Sequence, residues 1–384
     1  MKRELFDSSH DEFREVVRQF VAAEVVPNLE LWDEQGFVSR EFYLKAAEVG
    51  LLGLAFEPEH GGLGLDDFRF SVLINEELAR VGGIGVSMGV CGLNDLVGPY
   101  LTSLGTAEQK LRWLPGLADG SSTMALALSE PGAGSDLGQV QCRAVPVDGG
   151  YLLSGSKTFI SNGITANRFL VLTRTDPDAG RRGLSLLVVD ANSAGFARGN
   201  PIKKIGLSSQ DTAELFFNDV FVPADCVLGE PGTAWTALMG NLAVERMSVA
   251  VTALAAAEGV FTETLDYVSV RRAFGQTIGS MQYNMFGLAS LATELRTSRV
   301  FLDHSIMRVV QGELSPAEAA MAKFAATELQ QRVAYRCQQL YGGYGYMREY
   351  PVARAFVDGR ASTIYAGTSE IMMEIVGRDL GLKS

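Results

Sequence analysis

The spacing of apolar residues divides the chain into three regions. From about residue 7 to residue 120, apolar positions recur at intervals of three and four, which is typical of amphipathic helices. Between residues 123 and 222 the pattern changes to short runs of β-favouring residues, and helical spacing returns over 235–312 and 316–340. The pattern therefore predicts an α+β protein with a helical domain at 1–121, a β domain at 122–229 and a helical domain at 230–384.

Four short runs carry the prediction of strands in the middle region. They are 151–154, 168–173, 184–189 and 214–217. Turn residues at 148–150 and 176–177 separate them and favour antiparallel connections. Pro223 and the turn at 229–232 end the region, so the helices that follow are predicted to begin a new domain.

Composition and charge exclude several classes of protein. A chain of 384 residues is large enough for two or three packed subdomains around a buried cofactor. A net charge of -12 opposes binding to nucleic acid. No stretch approaches 18 consecutive apolar residues, which predicts no membrane insertion. Residues 1–20 mix acids and bases without an apolar targeting core, so we expect a cytoplasmic protein.

Cysteine and histidine spacing gives no sign of disulfides or metals. Cys91, Cys142, Cys226 and Cys337 lie too far apart for a CxxC motif, and we interpret them as buried thiols. The three histidines have no ligand spacing, so we expect no metal site.

Two short motifs point to other chemistry and are not supported by their surroundings. The run GAGSDL at 132–137 begins like a dinucleotide-binding loop but lacks the third glycine and a βαβ unit. The run SGSK at 154–157 matches the SxxK motif of serine acyl-enzymes, yet it sits in a strand pattern without the partner motifs. We interpret both as coincidences.

Five longer signatures occur in order along nearly the whole chain. They are LALSEPGAGSD (126–136), KTFISNG (157–163), RRAFGQ (271–276), QLYGGYG (339–345) and IYAGTSE (364–370). Together they resemble the acyl-CoA dehydrogenase family, and QDTAELFF (210–217) with EYP (349–351) resembles its long-chain branch. The resemblance implies an antiparallel sandwich or barrel-like middle domain, a C-terminal four-helix bundle and FAD-dependent formation of a trans-2-enoyl-CoA.

The resemblance also implies a flavin site between the β domain and the bundle. It places flavin contacts at Leu126, Leu128, Ser129, Phe159 and Ser161, with the Phe159 ring packing on the flavin and Ser161 bonding near its N5. Many relatives have Trp where this chain has Phe159. Without a flavin, Phe159 would be a core-facing strand residue and the two serines would cap turns.

A second group of residues is expected to bind FAD across a subunit boundary. By resemblance, the adenine and pyrophosphate of a neighbouring subunit's FAD contact Arg271, Phe274, Gln339, Gly342 and Gly343, and Gln282 is also expected to bind the cofactor. Arginine pairs well with a pyrophosphate, and glycine allows a close backbone approach. Thr368 and Glu370 are expected to contact the cofactor within their own subunit. A homotetramer follows from this shared site.

The catalytic carboxylate departs from the commonest family pattern. Many members carry it in a Tyr-Glu-Gly turn, where this chain has Tyr365-Ala366-Gly367. The resemblance assigns the base instead to Glu245, as in long-chain and isovaleryl members. The alternative for Glu245 is an exposed acid near the start of a helix.

The remaining substrate contacts are also inferred from the resemblance. The Ala366 N–H, together with a ribityl hydroxyl of the cofactor, is expected to bind the thioester oxygen. Arg246 supports the base or the CoA moiety, and Tyr365 and Gly367 line the substrate site. Ser135 contacts CoA and lies beside the cofactor, or is a plain turn residue.

Several questions stay open at the level of sequence. The electron acceptor is expected to be an electron-transferring flavoprotein, but an acyl-CoA oxidase or nitroalkane-oxidase-like enzyme would use oxygen. A non-catalytic assembly protein with a flavin fold is the alternative outside enzymes. Residues 81–92 are rich in glycine and either leave room for an acyl chain or allow close helix packing. Chain length, the thioester carrier and the pathway are not fixed.

Overall fold

The computed structural model describes residues 3–382. The N-terminal helices are α1 (Ser8–Phe20), α2 (Leu29–Gln35), α3 (Arg40–Glu48), α4 (Phe68–Arg80), α5 (Ile84–Cys91), α6 (Gly98–Leu104) and α7 (Ala107–Ala118). Capping boxes fix two of their starts, with Asp7 and His10 at α1 and Thr106 and Gln109 at α7. A π-helical segment, Gly92–Val97, joins α5 to α6. The predicted helical region is therefore confirmed.

The middle region forms a sheet of eight strands within the described residues. They are β1 (Met124–Ala127), β2 (Arg143–Val147), β3 (Gly150–Ser161), β4 (Arg168–Arg174), β5 (Leu184–Asp190), β6 (Phe196–Arg198), β7 (Thr212–Pro223) and β8 (Val227–Leu228). The strand order is β6-β7-β3-β2-β4-β5-β8, and both β1 and β2 pair with β4 in parallel. The sheet is thus mostly, but not wholly, antiparallel. Both parallel pairings join strands that are not consecutive in the chain.

The C-terminal region contains long helices with one interruption that the pattern did not predict. Its elements are α8 (Ala234–Val270), the hairpin β9 (Arg272–Ala273) and β10 (Gln276–Thr277), α9 (Gln282–Val310), α10 (Pro316–Tyr341), α11 (Pro351–Gly359) and α12 (Ser369–Asp379). Apolar spacing continues on both sides of the hairpin, which hides the break. Helix α8 packs against α4, α9 and α10.

Helix α8 is the central helix of the bundle and carries Glu245. By length and composition alone it could cross a membrane, but 72% of its most apolar window is buried inside the protein. Small residues such as Gly259 allow close contact, since a Cβ there would lie 2.1 Å from the Arg80 carbonyl oxygen. The apolar character of α8 is therefore explained by packing within the protein.

Candidate active site

A cavity of about 250 Å³ lies where the helical domain, the sheet and α8 meet. It brings together eight of the residues that the sequence singled out, namely Leu126, Leu128, Ser129, Phe159, Ser161, Glu245, Tyr365 and Ala366. These residues come from β1 and the loop after it, from β3, from α8 and from the turn before α12. The cavity is the candidate active site.

Phe159 reaches the cavity because β3 is irregular there. The pairing of β3 with β7 shifts between Lys157 and Ile160, and Phe159 has a left-handed φ of 58°. Such a bulge redirects a side chain away from the alternation of the strand. The Phe159 ring is 69% exposed, so the alternative of a core-facing strand residue is wrong.

A buried ion pair fixes the loop after β1 against this bulge. The Lys157 ammonium group is fully buried and donates to the Leu128 carbonyl at 2.9 Å and to Glu130 Oε1 at 2.8 Å. Glu130 also accepts the backbone N–H groups of Gln141 and Cys142. The lysine of the SGSK run thus has a structural role, and the Glu and Lys of two signatures are explained by one contact.

Glu245 lies in the twelfth position of α8, and only 5% of it is exposed. The alternative of a solvated acid at a helix start is therefore wrong. Burial raises the pKa of the Glu245 carboxyl, while hydrogen bonds from Tyr100 and Asn241 lower it. A buried carboxyl with a raised pKa beside a cavity is suited to act as a general base.

The turn before α12 presents a free backbone donor to the cavity. Ala366 has a left-handed φ of 54° and is followed by Gly367 at 91°. Within residues 3–382 the Ala366 N–H has no hydrogen-bond acceptor. The buried Lys323 ammonium donates to the Gly367 carbonyl and holds the turn. This N–H is therefore available to an oxygen of a ligand.

Family models match the chain over nearly its full length. The N-terminal, middle and C-terminal domain models of acyl-CoA dehydrogenases match residues 7–121, 125–220 and 232–381. The chain belongs to the acyl-CoA dehydrogenase family. It is an FAD-dependent oxidoreductase that acts on acyl-CoA.

Individual relatives agree with this assignment. The mitochondrial long-chain specific acyl-CoA dehydrogenase of Sus scrofa is 42% identical over 98% of this chain and 88% of its own length. The crystal structure of an acyl-CoA dehydrogenase from Geobacillus kaustophilus has a TM-score of 0.95 and 43% identity, covering 99% and 100% of the two chains. A glutaryl-CoA dehydrogenase from Mycobacterium smegmatis in complex with FADH2 has a TM-score of 0.91 and 26% identity, covering 98% and 95%.

The residues of this acyl-CoA dehydrogenase fit a flavin at the cavity. The exposed Phe159 ring offers an apolar face, which suits a flat aromatic ligand. Ser129 and Ser161 are half-buried in the lining and add hydroxyl groups beside it. Leu126 and Leu128 complete the apolar side of the lining.

The glycine-rich segment 81–92 allows close helix packing, and its last residue borders the cavity. A Cβ on Gly85 would lie 2.5 Å from Ser209 Oγ, and one on Gly89 would lie 2.2 Å from the Tyr43 hydroxyl, so these two glycines allow close packing. Gly92 has no heavy atom within 4 Å of its Cβ position and lines the cavity. Room in the cavity therefore comes from one end of the segment.

The second predicted group of cofactor residues does not line this cavity. Arg271, Phe274, Gln282, Gln339, Gly342 and Gly343 are all exposed. The two parts of the group lie close together, since the Arg271 guanidinium sits 5.5 Å from the centre of the Tyr344 ring. Phe274 is 95% exposed and has a left-handed φ of 50°. The expected place of these residues at a boundary between subunits stays a prediction.

The other predicted residues, which are Ser135, Arg246, Gly367, Thr368 and Glu370, are not among those that line the cavity. Thr368 caps α12 by accepting the Ile371 N–H at 3.3 Å, and Glu370 is exposed in the first turn of that helix. Ser135 is exposed in the loop after β1. Arg246 is buried, and its Nε has no hydrogen-bond partner within residues 3–382. An unpaired buried guanidinium leaves a donor for a ligand.

Four residues of the site were missed by sequence reasoning. Tyr100 and Asn241 donate to Glu245, Lys323 holds the turn at Gly367, and Lys157 holds the loop at Leu128. Asn241 lies four residues before Glu245, a spacing that places both on one helix face and could have identified it. Nothing in the sequence around Tyr100 connects it with a residue 145 positions later.

Proposed function

We propose that this enzyme removes the α-proton of an acyl-CoA with Glu245 and the β-hydrogen as hydride, giving a trans-2-enoyl-CoA. The observation that carries the proposal is the single cavity shared by Glu245, the free Ala366 N–H and the exposed Phe159 ring. A bound FAD supplies the hydride acceptor. The Ala366 N–H binds the thioester oxygen and so stabilises the negative charge that develops when the α-proton leaves.

The proposal also covers the electron acceptor, the oligomeric state and the cellular location of the enzyme. One similar structure, 32% identical over 99% of both chains with a TM-score of 0.93, is described as the electron-transferring flavoprotein of Acidaminococcus fermentans. This supports an electron-transferring flavoprotein as acceptor. The exposed cluster around Arg271 and Phe274 supports a homotetramer whose cofactor sites span subunits. We propose a cytoplasmic enzyme without membrane insertion, which cell fractionation tests.

The test is reduction of the bound flavin by a series of acyl-CoAs. Purified protein with FAD is mixed anaerobically with acyl-CoAs of increasing chain length, and bleaching of the flavin is followed. We expect bleaching, with the fastest rate identifying the preferred chain. Absence of bleaching with every acyl-CoA contradicts the proposal and favours a non-catalytic protein. Rapid reoxidation by air, faster than by the flavoprotein acceptor, would indicate an oxidase instead.

A further inference from the structure

The Glu245 carboxylate is held asymmetrically by two donors from different helices. Tyr100 Oη on α6 donates to Glu245 Oε1 at 2.6 Å, and Asn241 Nδ2 on α8 donates to the same oxygen at 3.0 Å. Within residues 3–382, no hydrogen bond is made to Oε2. Because both donors engage Oε1, Oε2 keeps its capacity to accept a proton or a hydrogen bond, and Glu245 lines the cavity.

Both donors are themselves fixed by their surroundings. Tyr100 is 1% exposed, so its ring has little freedom to turn. Asn241 lies one turn before Glu245 and uses Nδ2 for a second bond to the Asp95 carbonyl oxygen at 3.1 Å. Asp95 belongs to the π-helical segment, and Pro99, four positions later, has no N–H with which to give that carbonyl an α-helical bond. The Asn241 amide therefore joins the backbone of that segment to the base.

We propose that Tyr100 and Asn241 are positioning residues that hold Glu245 with Oε2 toward the substrate and favour its ionised form. The inference rests on the proposed function, in which Glu245 accepts the α-proton. A general base must lie within hydrogen-bond reach of the proton that it removes. Two donors on Oε1 fix the rotation of the carboxylate, and a donor to the charged form of an acid stabilises that form.

Some of the charged and titratable groups around Glu245 raise its pKa, and others lower it. Burial raises the pKa of Glu245, the Tyr100 and Asn241 donors lower it, Arg246 lowers it further and Asp95 raises it. Cys91 and Tyr365 line the same cavity, and burial raises the pKa of both, so they stay neutral near pH 7. The base is usable only above its pKa, so loss of a donor moves the onset of activity to higher pH.

The first experiment measures the pH dependence of flavin reduction in Tyr100→Phe. With FAD bound and acyl-CoA saturating, we expect the acid limb of the bleaching rate to move upward by about one pH unit, the value of one hydrogen bond to a charged group. Tyr43→Phe is the matched control, because Tyr43 is also buried and its hydroxyl makes no hydrogen bond to Glu245. An unchanged acid limb in Tyr100→Phe would overturn the proposal.

A second variant guards against a folding defect in the first. A second readout tests the proposal without turnover. Asn241→Ala should move the limb in the same direction by less, because its bond to Glu245 is longer. The infrared carboxyl band that Glu245→Gln removes reports the protonation of Glu245 directly, and in Tyr100→Phe it should persist to higher pH. If no acyl-CoA bleaches the wild-type flavin, the proposed function fails while this titration still decides the role of Tyr100.

Discussion

At the scale of single residues, the site combines a side-chain acid at position 245 with a main-chain donor at position 366. Residue 366 carries no carboxylate, and its backbone N–H remains free toward the cavity. Glu245, buried on α8, provides the acid in the same cavity. A main-chain donor does not depend on the side chain, so the oxyanion contact is compatible with alanine at position 366.

Replacement of Glu245 by Gln should nearly abolish flavin reduction by acyl-CoA. The amide has almost the same shape but cannot accept a proton, and a general base commonly contributes about 10²- to 10⁴-fold. We expect a loss beyond that range, measured as the anaerobic bleaching rate, with FAD content and circular dichroism unchanged. Bleaching at the wild-type rate would show that another group is the base.

A second carboxylate at position 366 provides the matching control. Ala366→Glu combined with Glu245→Gly should recover part of the lost activity, because both positions line one cavity. No recovery in a folded, FAD-containing double variant would show that the two positions do not reach the same carbon.

At the scale of elements, the bulge in β3 determines how Phe159 is presented. A regular strand would place residue 159 by simple alternation, whereas its left-handed φ of 58° turns the ring outward. Phe159→Ala should therefore leave the fold intact and weaken FAD binding by about tenfold, the order expected for one aromatic contact. Fluorescence titration of the apoprotein with FAD measures this. Phe216→Ala, another exposed phenylalanine of the same sheet, is the control.

The sequence predicted elements better than the contacts between them. The strands at 151, 168, 184 and 214 were found because alternation and turn residues are local signals. The hairpin at 272–277 was missed because helical spacing resumes on both sides, and the parallel pairing of β1 with β4 was missed because it is non-local. Glu245 was identified through the resemblance. Tyr100 was not, because its contact is set only by the packing of α6 on α8.

At the scale of the whole molecule, the exposed cluster around Arg271 connects cofactor binding with assembly. If a neighbouring subunit's FAD binds there, Arg271→Ala should weaken FAD retention by about 10- to 100-fold, the value of a hydrogen bond between charged groups. Arg112→Ala, an exposed arginine of the N-terminal domain, should have no effect. Flavin content after dialysis and sedimentation velocity give the two readouts. An active, FAD-loaded monomer would contradict the shared site.

A buried carboxyl between the sheet and the bundle makes stability depend on pH. Asp358 on α11 accepts the Leu207 N–H at 2.5 Å, and burial raises its pKa to about 7. Its pKa in the unfolded chain is lower, so the folded state binds more protons and the free energy of unfolding falls as pH rises toward 7. Asp358→Asn should remove this dependence, and its stability relative to wild type should grow between about pH 4 and pH 7 in urea titrations. Equal curves for both proteins would contradict it.

The missing N–H of Pro99 couples two residues that make no hydrogen bond to each other. Asn241 donates to the Asp95 carbonyl, to which Pro99 cannot give an α-helical bond, so Asn241→Ala removes a hydrogen bond worth about 1 kcal/mol. In a Pro99→Ala background the backbone can supply that donor, and the same substitution should cost less. The two changes should therefore be non-additive in a double-mutant cycle of unfolding free energies. Strict additivity would show that the carbonyl is satisfied in another way. Non-additivity would mean that the residues tolerated at this helix proline depend on an amide of a different helix, through a thermodynamic coupling that neither residue reveals alone.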